Sequence, residues 1–85
     1  MSKVEIYTKA FCPYSARALK LLRGKPVEIE EFDITLGGPK RAEMLERAPG
    51  ATTVPQIFIN GRHVGGSDDL AALERAGELD ALIAA

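Results

Sequence analysis

The only cysteine of the chain stands where a thiol becomes reactive. Cys12 lies in the segment KAFCPYS, residues 9–15, between an alternating stretch and a helical pattern. Pro13 suits the first position of a helix, and the first helical turn offers unpaired N–H groups and partial positive charge that favour a thiolate. Lys9 supplies a nearby cation. We therefore predict a nucleophilic thiolate at Cys12, the alternative being a buried, inert thiol.

The strands that position Cys12 are indicated by alternating apolar and polar residues. Four such segments are predicted strands: residues 4–8, 27–32, 54–59 and 62–64. Asn60-Gly61 joins the last two as a hairpin, so they run antiparallel. A helix between the first two makes them parallel, because a strand, helix and strand form a right-handed crossover.

The helices are indicated by apolar residues at helical spacing. The predicted helices run from Pro13 up to Gly24, over residues 40–48, over residues 68–76 and, as a short tail, over residues 79–84. In the first helix we expect an apolar stripe of Ala16, Leu19, Leu21 and Leu22. The whole order predicts an α/β fold: a four-stranded mixed sheet, with two parallel strands plus a C-terminal hairpin, and helices on both faces.

Composition limits the functions open to the chain. Its 85 residues predict one domain, residues 1–85, and its 11 Lys and Arg against 12 Asp and Glu argue against nucleic acid or an anionic membrane as a partner. No apolar run reaches the about 18 residues of a membrane span, and no signal peptide is recognisable, so we expect a cytoplasmic protein. Nothing in the sequence demands more than a monomer. With one cysteine and one histidine, His63, the chain cannot build a zinc site alone, so no metal is predicted.

Four separated motifs resemble the glutaredoxins, small members of the thioredoxin fold. They are KAFCPY at residues 9–14, TVP at residues 53–55, the strand-turn-strand of residues 56–64, and GGSDD at residues 65–69. The resemblance implies a thioredoxin-like fold and reduction of disulfides, above all mixed disulfides between a protein thiol and glutathione. Glutathione would be the co-substrate, and glutathionylated proteins would be the partners.

The sequence departs from the dithiol motif of that family at Ser15, where the second cysteine would stand. Without a resolving thiol, the resemblance implies a monothiol route through Cys12 alone. Whether Ser15 is natural or replaces a cysteine stays open. A non-catalytic module that binds glutathione, or that carries an iron–sulfur cluster between two chains, is the alternative function. Pro13 disfavours the cluster by family comparison.

The resemblance also implies a glutathione site. Thr53 precedes a Val54–Pro55 bond that would be cis and would leave the Val54 backbone free to pair with the cysteinyl unit, although a trans proline opening an edge strand is the ordinary alternative. Lys9 would face the glycyl carboxylate and Tyr14 would flank the sulfur, unless the two are simply a solvated lysine and a partly buried ring.

The γ-glutamyl end would lie at a second helix start, residues 66–69. There Gly66 leads into the N–H groups of Ser67 and Asp68, which would bind the carboxylate, and Asp68 or Asp69 would receive the ammonium. Asp68 is also the expected N-cap of this helix.

Overall fold

The structure, a computed structural model, describes residues 1–84, so that Ala85 of the predicted domain lies outside the described residues. The elements in chain order are β1 (Ser2–Thr8), α1 (Pro13–Arg23), β2 (Val27–Asp33), α2 (Pro39–Arg47), β3 (Gln56–Ile59), β4 (Arg62–Gly65), α3 (Ser67–Arg75) and α4 (Glu78–Ala84). Within residues 1–84, no helix combines the length and the apolar content that crossing a bilayer requires.

The strands form one mixed sheet in the order β2-β1-β3-β4. β1 pairs in parallel with β2, and β3 pairs antiparallel with both β1 and β4, which confirms the predicted fold class. In this arrangement β1 ends, β3 begins and β4 ends at the same edge of the sheet. Three junctions that are far apart in the sequence therefore meet in space.

Each face of the sheet has its own apolar core, so the prediction of helices on both faces is confirmed. One core joins β1 and β3 to α1, α3 and α4, and its buried members include Val4, Ile6, Leu19, Leu22, Ile57, Leu70, Leu79 and Ile83. The other joins the opposite face to α2 through Tyr7, Ile34, Met44, Ala48 and Phe58. β1 and β3 contribute side chains to both cores, because successive side chains of a strand point to opposite faces of the sheet.

A half-buried cation fixes α2 to its face of the sheet. Arg47 donates from Nη1 and Nη2 to the Glu5 carboxylate at 3.1 and 3.0 Å and from Nη1 to the Tyr7 hydroxyl at 2.8 Å. Its guanidinium carbon also lies 3.9 Å from the centroid of the Phe58 ring. A forked, planar guanidinium suits this combination of two carboxylate bonds and an aromatic face.

Two sequence predictions need correction in detail. β3 begins at Gln56 and not at residue 54, because Pro55 has no N–H to give to the ladder. The buried stripe of α1 also differs from the predicted one, since Ala16 is exposed and Leu21 is only partly buried. The residues buried on α1 are Ser15, Ala18, Leu19 and Leu22. These positions repeat at intervals of three and four residues, which places them on one helix face.

Candidate active site

The cysteine occupies the N-cap of α1. Cys12 has extended backbone angles, φ −91° and ψ 113°, and its carbonyl accepts the first helical hydrogen bond from Ala16 N–H at 3.1 Å. Cys12 is partly exposed, so the alternative of a buried cysteine does not hold. The loop before it is anchored to the neighbouring loop, because Ala10 N–H donates to Thr35 Oγ1 at 2.7 Å.

The surroundings of the cysteine favour its ionised form. The pKa of the Cys12 thiol is lowered, first by the Ser15 hydroxyl, then by the Ser15 N–H, and to a smaller extent by the Tyr14 N–H and the charge of Lys9, while burial opposes the shift. The helix start and Lys9 thus lower the Cys12 pKa as predicted, but the Ser15 hydroxyl lowers it more than either does. Ser15 is 2% exposed, and its Oγ has no hydrogen-bond partner among residues 1–84. A thiolate at Cys12 would give this hydroxyl an acceptor.

A cavity of about 370 Å³ lies at the edge where the three junctions meet. It is lined by Gln56, His63 and Gly65 together with eight of the predicted site residues: Tyr14, Thr53, Val54, Pro55, Gly66, Ser67, Asp68 and Asp69. The Val54–Pro55 bond is cis, as predicted. Val54 precedes the first ladder pair of β3, Gln56 with Tyr7, so the residues before Gln56 lie outside the sheet.

Cys12 and Lys9 border a neighbouring cavity, also of about 370 Å³. Both cavities reach α1, the first through Tyr14 and the second through Ser15. Phe11, beside the cysteine in the second cavity, is fully exposed and has φ +59°. The structure therefore places Lys9 with the sulfur but outside the cavity that the other predicted residues share.

The start of α3 differs from the prediction that Asp68 caps it. Gly66 is the N-cap, and the Asp69 carboxylate accepts a hydrogen bond from Gly66 N–H at 2.9 Å. Asp68 is exposed at the rim of the cavity. The Asp69 carboxylate therefore closes the helix start, and Asp68 lines the cavity.

A positive φ and a close approach explain Gly65, the first of the two glycines before α3. Gly65 has φ +119°, and a β-carbon there would lie 2.8 Å from Asp69 Cγ. A β-carbon on Gly66 would lie 3.4 Å from the carbonyl oxygen of Pro55. A side chain at position 65 would therefore collide with the Asp69 carboxylate that closes the start of α3, whereas one at position 66 would make an ordinary contact with Pro55.

Comparison with known proteins identifies the family. A glutaredoxin family model matches residues 4–64. The chain belongs to the glutaredoxin family. It is 53% identical over 83 residues to glutaredoxin 3 of Escherichia coli K12, covering 98% of this chain and 99% of that one.

Solved structures agree with this assignment. A glutaredoxin of Brucella melitensis is 53% identical, with a TM-score of 0.79, over 95% of this chain and 87% of its own. A buckwheat glutaredoxin, solved as a complex with glutathione, is 28% identical with a TM-score of 0.75 over 98% and 77% of the two chains. Family and fold together support a glutathione-dependent thiol oxidoreductase with a thioredoxin-like fold.

Sequence reasoning missed three side chains in this glutaredoxin. The sequence predicts no role at the site for Gln56 or His63, and Ser15 stands out in it only as the position of a missing thiol. His63 is indeed exposed, but its Nε2 lies 2.7 Å from Gln56 Oε1. The signal for Ser15 was its position three residues after Cys12, on the same side of the first turn. Gln56 stands out as the one polar residue in an otherwise apolar strand.

Proposed function

We propose that this glutaredoxin reduces mixed disulfides between proteins and glutathione by a monothiol route through Cys12. The observation that carries the proposal is a partly exposed cysteine with a lowered thiol pKa, which is followed by Pro13 and by Tyr14 of the cavity that eight of the predicted binding residues line. The chain has a single cysteine, so its chemistry must be completed by an external thiol. The glutathione complex of the buckwheat relative supports the choice of that thiol.

The reaction has two exchange steps. The Cys12 thiolate attacks the glutathionyl sulfur of the substrate, the protein sulfur leaves as a thiolate and takes a proton from water, and Cys12 carries the glutathionyl group. The thiolate of a second glutathione then attacks that same glutathionyl sulfur, which releases oxidised glutathione and restores the Cys12 thiolate. Over both steps, one mixed disulfide and one glutathione thiol become one protein thiol and one glutathione disulfide, so the numbers of thiols and disulfides are unchanged.

Each end of glutathione has a proposed partner. The N–H groups of Ser67 and Asp68 bind the γ-glutamyl carboxylate, since the first turn of a helix favours anions. The Asp68 carboxylate receives the ammonium, because Asp69 is engaged with Gly66 N–H. The backbone of Val54 pairs with the cysteinyl unit between these ends, next to Thr53, Pro55 and Gly66.

At the sulfur end, Tyr14 and Lys9 complete the site. Tyr14 is half-exposed, lines the cavity and adjoins Cys12, which suits a ring that covers one side of the mixed disulfide. Lys9 borders the cysteine from the other side and is assigned to the glycyl carboxylate. The glycyl end would then extend across Cys12 toward the second cavity.

The partners and the setting follow from this chemistry. Glutathionylated proteins are the substrates, glutathione is the co-substrate, and the chain acts as a monomer. We place it in the cytoplasm, where thiols are kept reduced and where a lone cysteine stays available for exchange.

The test is steady-state reduction of a small glutathione mixed disulfide, coupled to glutathione reductase, together with intact-mass measurement after incubation with oxidised glutathione. We expect turnover and one added glutathione on the wild-type chain, and neither on Cys12→Ser. Ser2→Ala is a matched control that removes a distant hydroxyl and keeps Cys12. Adduct formation without turnover would favour the binding module instead, and turnover by Cys12→Ser would refute the proposal.

A further inference from the structure

A chain of side-chain hydrogen bonds runs from β4 to the segment before β3. His63 Nε2 lies 2.7 Å from Gln56 Oε1, and Gln56 Nε2 donates to the carbonyl oxygen of Thr53 at 3.0 Å. Gln56 is 4% exposed. All three residues line the cavity at the edge of the sheet.

The directions of both hydrogen bonds follow from the bond that Gln56 makes to the Thr53 carbonyl oxygen. A carbonyl oxygen only accepts, so the Gln56 amide must turn its NH₂ group toward Thr53 and its Oε1 toward His63. Oε1 also only accepts, so His63 must carry a proton on Nε2. This holds for the neutral Nε2–H tautomer and for the imidazolium alike, so the bond does not depend on the charge of the ring.

The imidazole is held in place from its face. The His63 ring stacks on Phe58 with centroids 4.9 Å apart and an interplanar angle of 28°. Phe58 is 2% exposed and forms part of the core under α2. An exposed side chain is thereby given a fixed position, and its Nε2 stays aimed at the buried amide.

We infer that His63 and Gln56 are positioning residues that hold the Thr53–Val54 backbone in the orientation that glutathione pairs with. Both backbone units lie outside the sheet, because the ladder begins at Gln56. Ordering such a segment only when the ligand arrives would cost conformational entropy and weaken binding. This inference rests on the proposed function and adds two residues to its site.

A purely structural role for the same bonds predicts something different. A buried amide that loses its partner destabilises the fold, but a structural bond would leave the affinity for the mixed disulfide unchanged. The readout that separates the roles is therefore the KM for the mixed disulfide at fixed glutathione, compared with kcat.

The deciding variant is His63→Phe, which keeps an aromatic ring to stack on Phe58 and removes the donor. We expect KM for a small glutathione mixed disulfide to rise about three- to tenfold, the worth of one hydrogen bond, with kcat within about twofold. Arg62→Ala, an exposed position on the same strand, is the matched control and should leave both constants unchanged.

A second readout does not depend on turnover. Long-range proton–nitrogen NMR spectra of the wild-type chain should show a proton on His63 Nε2 both with and without glutathione. A neutral Nδ1–H tautomer would overturn the inference, and so would an unchanged KM in His63→Phe. Absence of turnover in the wild-type chain would instead refute the proposed function, and the positioning role with it.

Discussion

The Asp69 carboxylate accepts a hydrogen bond from the Gly66 amide at 2.9 Å, so the carboxylate three residues into the turn closes the start of α3. Asp68, its neighbour, is exposed at the cavity instead. The hydrogen bond thus assigns Asp69 to the stability of the helix start, and the binding role proposed above falls to Asp68. The two residues offer a direct comparison of these roles.

We predict that replacing Asp69 lowers stability, whereas replacing Asp68 weakens the binding of the mixed disulfide. Asp69→Ala should lower the free energy of unfolding by about 1 kcal/mol, because the Gly66 N–H loses its acceptor. Asp68→Ala should change stability by no more than about 0.5 kcal/mol but raise KM for a glutathione mixed disulfide about tenfold. Urea unfolding and steady-state kinetics measure the two. Equal stability losses in both variants would contradict the separation.

The Ser15 hydroxyl should control the ionisation of Cys12. Ser15→Ala removes the largest cause of the lowered pKa, so the pKa of the Cys12 thiol should rise toward its ordinary value. Only the thiolate reacts with an alkylating reagent, so the rate falls as pH drops through the pKa. The wild-type chain should therefore stay reactive to lower pH than Ser15→Ala. A wild-type midpoint at or above that of free cysteine would disprove the lowered pKa.

Ser15→Cys should convert the monothiol route into a dithiol route. A second thiol one turn into α1 can attack the mixed disulfide on Cys12 and expel glutathione, leaving an internal disulfide. Intact mass after incubation with oxidised glutathione should show the added tripeptide on the wild-type chain and a loss of two hydrogens on the variant. Ser2→Cys, at the opposite end of β1, serves as a control for adding a thiol away from the site. A persistent adduct on Ser15→Cys would argue against this geometry.

The glycine before α3 should be sensitive to a single methyl group. Gly65→Ala must adopt φ +119° and meet the Asp69 carboxylate, so we expect a loss of about 1–3 kcal/mol in the free energy of unfolding. Gly24→Ala is the control, because Gly24 has φ −84° and a β-carbon there would make an ordinary 3.5 Å contact with Leu21 O. That variant should stay within about 1 kcal/mol of wild type. Similar losses at both positions would show that backbone strain at Gly65 is unimportant.

The Arg47 cluster should matter more than an exposed ion pair. Arg47→Met keeps much of the apolar stem but leaves the Glu5 carboxylate and Tyr7 hydroxyl without their donor, which should cost about 2 kcal/mol. Lys3→Met breaks the ion pair between Lys3 and Glu30, two side chains that are each about half exposed, and should cost clearly less than Arg47→Met. Thermal and urea unfolding of the two variants provide the comparison.

The sequence by itself determined the elements and the chemistry at the first helix. The alternation in β1, the hairpin at Asn60-Gly61 and the helix start at Pro13 are local patterns, because backbone geometry sets their periods and turn residues. Cys12 before a proline at a helix start is local in the same way. For this reason the fold class, the position of the thiol and the direction of its pKa shift could be predicted before any coordinates were known.

The tertiary structure decided which side chains meet across segments. A β-carbon on Gly66 would lie 3.4 Å from the carbonyl oxygen of Pro55, and no local pattern encodes this approach of two separate segments. His63 reaches Gln56, and Gln56 reaches Thr53, only when β4 is paired with β3. Such contacts depend on how packed elements are placed to within an ångström or so, whereas periodicity specifies only which face a residue occupies.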